Sequence, residues 1–345
     1  MFSGLPRPSE GIVIADKITG AELTVATNRY LLRGPFEVWW QEGLIDWLER
    51  VQPDALVVGA NARSLSNPRA IRWMRDRGRP VVGWGLGTQS MYSGVLARWR
   101  SLRRSRLIRS LDGVIAYGSR GAAEYRAAGV PADRVFIAYN ASTPRPATSP
   151  PFRPAVLDPS PKIVFVGRLL ASKRIENLIR ASASLRGVGE PETWIVGEGP
   201  ARTALEEEAR GRYPRVRFFG ALHGRLLEQI LDAADLFVLP GRGGLAVQQA
   251  MARALPVVVA EADGTQDDLV RPGNGWTVPT GDMAALAEAI QAALSDPIGL
   301  RAKGLESYRI VRDEINVDAM ADAVVSAVSA VAAAISSGAP RPGRN

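Results

Sequence analysis

The fold is decided by the stretch Val238-Leu-Pro-Gly-Arg-Gly-Gly-Leu-Ala-Val-Gln-Gln-Ala-Met-Ala-Arg-Ala-Leu-Pro-Val-Val-Val-Ala260. Its pattern predicts a strand that ends at Leu239, a glycine-rich turn, a helix over 245–253 and a β-branched strand after Pro256. Glycines between a strand and a helix allow backbone N–H groups to approach a ligand, and the start of the helix favours an anion. A tight turn that binds nothing is the alternative interpretation of this stretch alone.

The composition limits the chemistry that the chain can perform. It has 345 residues, enough for two domains, and its 43 Lys and Arg residues exceed its 35 Asp and Glu residues. This basic excess suits nucleic acid, an anionic membrane surface or a phosphate-bearing substrate. There is no cysteine and a single histidine, His223, which excludes disulfides, thiolate metal sites, a cysteine nucleophile and a histidine-rich metal site.

Neither a targeting segment nor a membrane-spanning segment is expected from the sequence. The chain shows no apolar run of about 18 residues, and its N-terminus has no basic region followed by an apolar one. The expected location is therefore the cytoplasm.

Strand-like and helix-like segments alternate along both halves of the chain, which predicts an α/β architecture with open parallel sheets and helices on both faces. Residues 143–159 hold six prolines and are predicted to be the linker between two Rossmann-like domains. Near the N-terminus, residues 38–51 are predicted to form one helix, and 13–18 and 22–26 short strands. The main predicted strands are 54–60, 80–87, 113–118, 135–139, 162–167, 192–197, 216–220, 233–239 and 256–260.

Two loops after predicted strands carry candidate ligand-binding residues. Arg168 and Lys173 flank a loop that follows Gly167, where an arginine fork and a compact lysine charge suit a diphosphate. Gly197 and Glu198 lie at a second junction between a strand and a helix. Two solvated surface cations and a plain turn are the respective alternatives.

From residue 162 to residue 297 the sequence resembles the nucleotide-sugar-binding domain of the family 4 glycosyltransferases, which are retaining group 1 enzymes with the GT-B fold. The motifs that carry this resemblance are Val166-Gly-Arg-Leu with Lys173, Ile195-Val-Gly-Glu-Gly-Pro200, Val216-Arg-Phe-Phe-Gly220, Ala233-Ala-Asp-Leu-Phe-Val-Leu-Pro240, Gln249-Ala-Met-Ala with Leu255-Pro-Val-Val258, and Gly264-Thr with Asn274-Gly-Trp-Thr-Val-Pro279. In addition, Tyr117-Gly-Ser and Val135-Phe-Ile-Ala-Tyr-Asn140 resemble the end of the family's acceptor-side domain.

The resemblance implies a GT-B fold, in which two Rossmann-like domains face each other across a cleft. It places an acceptor-side domain at 1–150, a donor-binding domain at 151–305, helices that return to the first domain at 306–336, and a disordered tail at 337–345. Arg168 and Lys173 are the implied catalytic cations on the donor diphosphate. The implied donor-binding residues are Gly167, Gly197, Glu198, Gly241, Arg242, Gly243, Gly244, Leu245 and Gln249. The implied acceptor-side residues are Gly85, Gly87, Thr88 and Tyr117.

Two features of the sequence depart from the family. The family's two glutamates, eight positions apart, would fall on Gly241 and Gln249. A glutamine amide can bond the ribose hydroxyls in place of the second glutamate, but a glycine cannot replace the first, which touches the donor sugar. The family's first strand, glycine-rich loop and following helix also have no clear counterpart in residues 1–35.

The predicted function is transfer of a sugar from a nucleotide-diphosphate sugar to a glycan, glycolipid or lipid-linked acceptor, in cell-envelope polysaccharide synthesis and with retention. In this family positioned cations stabilise the leaving diphosphate, so we expect no protein nucleophile, no metal and no cofactor. A nucleotide-sugar or glycan binder without catalysis is the main alternative. A nucleotide-sugar epimerase is disfavoured by the single histidine, and no nucleic-acid partner is expected because no nucleic-acid motif is present.

Segment 98–109, from Arg98 to Arg109, interleaves arginines with apolar residues. A basic amphipathic helix that contains Trp99 is typical of a peripheral protein on an anionic membrane, here the inner face of the plasma membrane. A surface helix whose apolar side packs on the sheet is the alternative.

Overall fold

The structure is a computed structural model that describes residues 1–5, 18–32, 37–87, 95–243, 245–262, 264, 266–339 and 341, with the backbone only for 95–100. The chain forms two compact units. Unit 1 comprises Met1–Tyr117, Gly121–Ala138 and Ala323–Asn345, and unit 2 comprises Gly118–Arg120 and Tyr139–Asp322. The predicted strand at 13–18 and the end of the predicted tail lie almost entirely outside the described residues.

The first part of the chain contains eight strands and four helices among its described residues. In chain order they are β1 (Phe2–Gly4), β2 (Thr24–Ala26), β3 (Asn28–Leu31), β4 (Val38–Gln41), α1 (Leu44–Val51), β5 (Leu56–Gly59), α2 (Asn67–Asp76), β6 (Val81–Gly85), α3 (Val95–Arg109), β7 (Gly113–Ala116), α4 (Ser119–Ala127) and β8 (Val135–Ile137). Strands β5-β6-β7-β8 form a parallel sheet in that order. Its buried strand residues are apolar, as expected for a parallel sheet covered by helices.

The prediction of one helix over 38–51 is wrong for its first residues. Val38–Gln41 forms β4, which pairs antiparallel with β3, and the helix begins only at Leu44. Val38, Trp39 and Trp40 have the β-branched and aromatic side chains that favour strands. Gly43 then adopts φ 74°, which ends the extended segment before the helix starts.

The second part of the chain begins its regular structure at residue 162. Its elements are β9 (Lys162–Val166), α5 (Ile175–Ser184), β10 (Glu192–Val196), α6 (Arg202–Arg212), β11 (Val216–Gly220), α7 (Gly224–Ala233), β12 (Leu236–Leu239), α8 (Leu245–Ala252), β13 (Val257–Ala260), β14 (Gly275–Val278), α9 (Met283–Ser295), α10 (Pro297–Asp313) and α11 (Val317–Ser336). Every main strand predicted in the two halves is confirmed, while the short strand β14 was not predicted.

All six strands of unit 2 are parallel, in the order β11-β10-β9-β12-β13-β14. The chain first moves from β9 toward β11 and then crosses back to place β12 on the other side of β9. In a sheet of this kind, ligands bind at the carboxyl ends of the strands where the strand order reverses. The loops after β9 and β12 therefore mark the candidate site.

The proline-rich segment belongs to unit 2 and is held by Arg153. Its guanidinium donates to the carbonyls of Leu231 at 2.9 Å, Asp232 at 3.1 Å and Arg253 at 2.9 Å, and also to that of Ala234. These carbonyls lie at the C-terminal ends of α7 and α8, which a cation stabilises. Burial lowers the pKa of Arg153 to about 10.

The last helix, α11, is divided between the two units at Ala323. In unit 1, Val331 of α11 lies against Gly113 of β7. The approach is so close that a Cβ atom at Gly113 would lie 2.7 Å from Val331 Cγ2. Helices α10 and α11 together, Pro297–Ser336, contain a segment long and apolar enough to cross a membrane by length and composition alone, and 11% of that segment is buried. The sequence has no unbroken apolar run of about 18 residues and for that reason predicts no membrane-spanning segment.

Candidate functional site

The loop after β9 and the turn after β12 meet at the reversal point of the unit 2 sheet. Gly167 and the exposed Arg168 follow β9, and Lys173 ends the short 3-10 turn Ala171–Lys173. On the other loop, the Arg242 N–H donates to the Ser172 carbonyl at 3.1 Å. The predicted cations and the predicted glycine turn are thus brought together by the fold.

Gly241 is placed where there is no room for a side chain. A Cβ atom there would lie 2.5 Å from both the Lys173 carbonyl carbon and the Ser172 oxygen, and 2.6 Å from the Lys173 oxygen. These are backbone atoms, so they cannot rotate away as a side chain would. The two loops can pack this closely only because residue 241 is glycine.

The Lys173 ammonium lies against the next glycine of the turn. Gly243 has φ 125°, and a Cβ atom on it would lie 1.9 Å from Lys173 Nζ. The Gln266 side chain donates to the Gly243 carbonyl and is itself 1% exposed. Its Oε1 atom is buried and has no hydrogen-bond donor within the described part of the chain. Sequence reasoning missed Gln266, although it follows the Gly264-Thr motif by one residue.

The loop after β10 packs backbone to backbone on the loop after β9. A Cβ atom at Gly197 would lie 1.9 Å from the Gly167 oxygen, and the Leu169 N–H donates to the Glu198 carbonyl at 2.8 Å. The Glu198 side chain is paired with Arg202 at the start of α6. Gly167 and Gly197 therefore shape the base of the loop that carries Arg168.

Helix α8 begins beside the glycine turn and presents two adjacent glutamines differently. Gln248 is 1% exposed, accepts from the Ser142 N–H at 2.9 Å and donates to the Asn140 carbonyl at 2.6 Å. Gln249 is exposed and lines a cavity of about 420 Å³ between α7, α8 and residues 142–149. Leu245 is 49% exposed at the first position of the helix. Gly244 lies outside the described residues.

The predicted acceptor-side residues lie at the carboxyl ends of β6 and β7 in unit 1. The Tyr117 N–H donates to the Gly85 carbonyl at 3.1 Å, and its ring packs edge-on against Trp84 with centroids 5.7 Å apart. Burial raises the pKa of Tyr117. A Cβ atom at Gly87 would lie 2.4 Å from Glu124 Oε2. Thr88 lies outside the described residues.

The remaining predictions concern α3 and His223. In α3, Leu107 and Ile108 are buried in the core of unit 1, as the surface-helix interpretation requires, while Leu102 is 58% exposed. The side chains of Leu96 and Trp99 lie outside the described part.

His223 is exposed and precedes α7 without a side-chain capping bond. Among the described residues, no group of three or more His, Asp and Glu side chains could hold a metal ion.

Comparisons with known proteins show which sequences and structures the chain is similar to. Residues 160–296 match the family model of glycosyl transferases group 1. The chain is 31% identical over 147 residues to alpha-D-kanosaminyltransferase from Streptomyces kanamyceticus. The aligned region covers 41% of this chain and 38% of that relative. It is 28% identical over 218 residues to a GDP-mannose-dependent monoacylated alpha-(1-6)-phosphatidylinositol monomannoside mannosyltransferase from Corynebacterium glutamicum. That aligned region covers 60% of this chain and 56% of the relative.

A solved structure extends the similarity to most of the chain. The Anabaena protein HepE in complex with UDP has a TM-score of 0.68, 18% identity, and coverage of 89% of this chain and 86% of that one. The fold is therefore GT-B, with two Rossmann-like units, and residues 160–296 are a group 1 glycosyl transferase domain. The matches to both curated relatives span less than two thirds of those proteins.

Proposed function

We propose that this GT-B chain, with its group 1 glycosyl transferase domain, transfers a sugar from a nucleotide-diphosphate donor bound by unit 2. The observation that carries this proposal is the meeting of the Arg168–Lys173 loop with the glycine turn at the reversal point of the sheet. There a lysine ammonium lies against the backbone of Gly243. The UDP complex of the structural neighbour and the GDP-mannose dependence named for a relative support a nucleotide-sugar donor.

In the proposed mechanism, Arg168 and Lys173 bind the donor diphosphate. The acceptor hydroxyl attacks the anomeric carbon, the bond to the diphosphate oxygen breaks on the same face, and the departing diphosphate takes the hydroxyl proton. The two cations stabilise the charge that develops on the diphosphate, an effect worth about 3–4 kcal/mol for one well-placed group. The buried Gln266 Oε1 accepts a donor-sugar hydroxyl, and no protein nucleophile, metal or cofactor is assigned.

The proposed acceptor is a glycan, glycolipid or lipid-linked molecule of the cell envelope. The mannosyltransferase relative is named for a phosphatidylinositol-based acceptor, which supports a lipid-linked one. We place the protein in the cytoplasm, peripherally at the inner face of the plasma membrane through helix α3, and assign it no nucleic-acid partner. The exposed Arg106 and Arg109 of that helix support contact with an anionic surface.

The donor assignment is tested with single-alanine variants of the cations. Arg168→Ala and Lys173→Ala should each weaken nucleotide-diphosphate binding about tenfold or more, since a charge-assisted hydrogen bond contributes roughly 1.5–3 kcal/mol. Arg174→Ala is the matched control, because Arg174 is an exposed cation next to Lys173 whose guanidinium lies beside Gly281. A Cβ atom at Gly281 would lie 2.6 Å from Arg174 Nη1. Binding is measured by calorimetry after a thermal-shift screen of nucleotide sugars. Equal affinities for all three variants would contradict the assignment.

Nucleotide-sugar binding without transfer is the second candidate. It is favoured by Gly241, which stands where the family has a glutamate and where neighbouring backbone atoms leave no room for any side chain. Incubation of the wild-type protein with the donor identified by the screen separates the two candidates. Release of the nucleoside diphosphate, by hydrolysis or transfer, would exclude the non-catalytic candidate.

A further inference from the structure

A second basic site lies in unit 1, in the groove between α2 and α3. It is a cavity of about 820 Å³. We call it the arginine groove, defined by the side chains of Arg72, Arg75, Arg103 and Arg106 together with Asp76. None of these residues belongs to the donor site of unit 2.

The two helices contribute matching pairs of charges. Arg72 and Arg75 are three residues apart on α2, and Arg103 and Arg106 are three apart on α3, so each pair lies on one face of its helix. Asp76 lines the groove and the Asp112 carboxylate lies 3.8 Å from Arg75, so four arginines stand against two carboxylates and leave a local charge excess of two. The excess is offset when an anion occupies the groove between them.

The side chains and the floor of the groove select the kind of anion. Guanidinium groups present planar pairs of donors that match phosphate oxygens, and arginine is preferred where this geometry matters. Ile71 and Leu107 line the same cavity and are buried, so the groove is not polar throughout. A phosphate ester attached to a larger organic group fits this combination better than a free inorganic ion.

We propose that the arginine groove binds the phosphate or diphosphate group of the acceptor. The identity of the ligand as an acceptor rests on the proposed function, whereas phosphate binding by the groove does not. The phosphate comes either from a soluble phosphorylated saccharide or from the headgroup of a lipid. The sequence indicated only a basic helix over 98–109; the packing of α3 beside α2 adds the second pair of arginines.

The test compares two single variants of the full chain that lose the same charge from α2, so that α3, proposed to contact the membrane, is unchanged. Arg72→Gln removes an exposed groove arginine, and Arg69→Gln removes an exposed arginine that does not line the groove. Both are built on Arg168→Ala/Lys173→Ala, so that the donor-site cations do not contribute. Inorganic pyrophosphate is titrated by calorimetry at fixed low ionic strength.

We expect the groove variant to bind pyrophosphate about tenfold more weakly than its parent or worse, and the control within about twofold of it. Equal losses in both variants, or no binding by the parent, would overturn the inference. Nucleotide-sugar binding by the protein with intact Arg168 and Lys173 is measured separately, so failure of the donor assignment is recognised independently.

Vesicle flotation then distinguishes the two phosphate sources. Vesicles of phosphatidylglycerol are compared with vesicles of phosphatidylcholine. A lipid source predicts flotation with the anionic vesicles that the groove variant loses and the control keeps. A soluble source predicts the same pyrophosphate result with equal flotation of both variants. Binding of an oligonucleotide but not of pyrophosphate would refute both.

Discussion

Gly241→Ala is the substitution that tests the arrangement of the donor loops most directly. The added Cβ would lie 2.5 Å from two backbone atoms of Ser172 and Lys173, whereas carbon in favourable contact stays about 3.5–4.0 Å from its neighbours. One of the two loops must therefore move by about 1 Å. Gly241 is not among the glycines with positive φ, so only the lack of space opposes alanine here.

The expected cost follows from overpacking a rigid region. Such insertions destabilise a protein by about 1–3 kcal/mol, and about 1 kcal/mol shifts the melting temperature of a domain of this size by roughly 2–4 °C. We therefore expect Gly241→Ala to melt roughly 2–12 °C below wild type. Because the displaced backbone carries Lys173, nucleotide affinity should fall as well. Gly241→Glu, which restores the residue typical of the family, should be more damaging and should not increase transfer.

Thermal unfolding followed by circular dichroism, together with nucleotide calorimetry, measures both effects. Gly211→Ala is the control, because a Cβ at Gly211 in α6 meets nothing within 4 Å. Alanine in an open helical position should stabilise by about 0.5–1 kcal/mol, the opposite sign. A Gly241→Ala protein that melts at or above the wild-type temperature would refute the close approach of the two loops.

Three further substitutions test the roles of single side chains. Gln248→Ala should lower the free energy of unfolding by about 2–3 kcal/mol in urea titrations, since it leaves the Ser142 N–H and the Asn140 carbonyl without their partner. The exposed Gln249→Ala should change it by less than about 0.5 kcal/mol while weakening nucleotide binding; unchanged affinity would mean that Gln249 does not touch the ribose. Burial raises the pKa of Tyr125 from 10.0 to about 12, so its contribution to stability is complete below pH 10 and is lost as pH rises toward 12. Tyr125→Phe cannot ionise, and its unfolding free energy should fall about 1.3 kcal/mol less than that of wild type between pH 9 and pH 11; parallel declines would show that Tyr125 does not cause the loss.

The donor loops show how far motif reasoning reaches. The proximity of the Arg168–Lys173 loop to the glycine turn could be predicted, because loops at the carboxyl ends of parallel strands lie at one edge of the sheet. Gln266 could not be assigned, since its role depends on a carbonyl that lies 23 positions earlier in the chain. For the same reason the sequence does not show that Gln248 is buried and Gln249 exposed on α8.

Sequence periodicity determined the α/β class, because a buried parallel strand needs a continuous apolar run and a helix needs its own spacing. The residue types in the sequence determined the presence of the candidate cations Arg168 and Lys173 and, because there is no cysteine, the absence of thiol chemistry. Tertiary structure alone decided two other features: the exclusion of any side chain at Gly241 and the joining of two arginine pairs in one groove. Both depend on distances between segments far apart in the chain, and local residue preferences do not encode such distances.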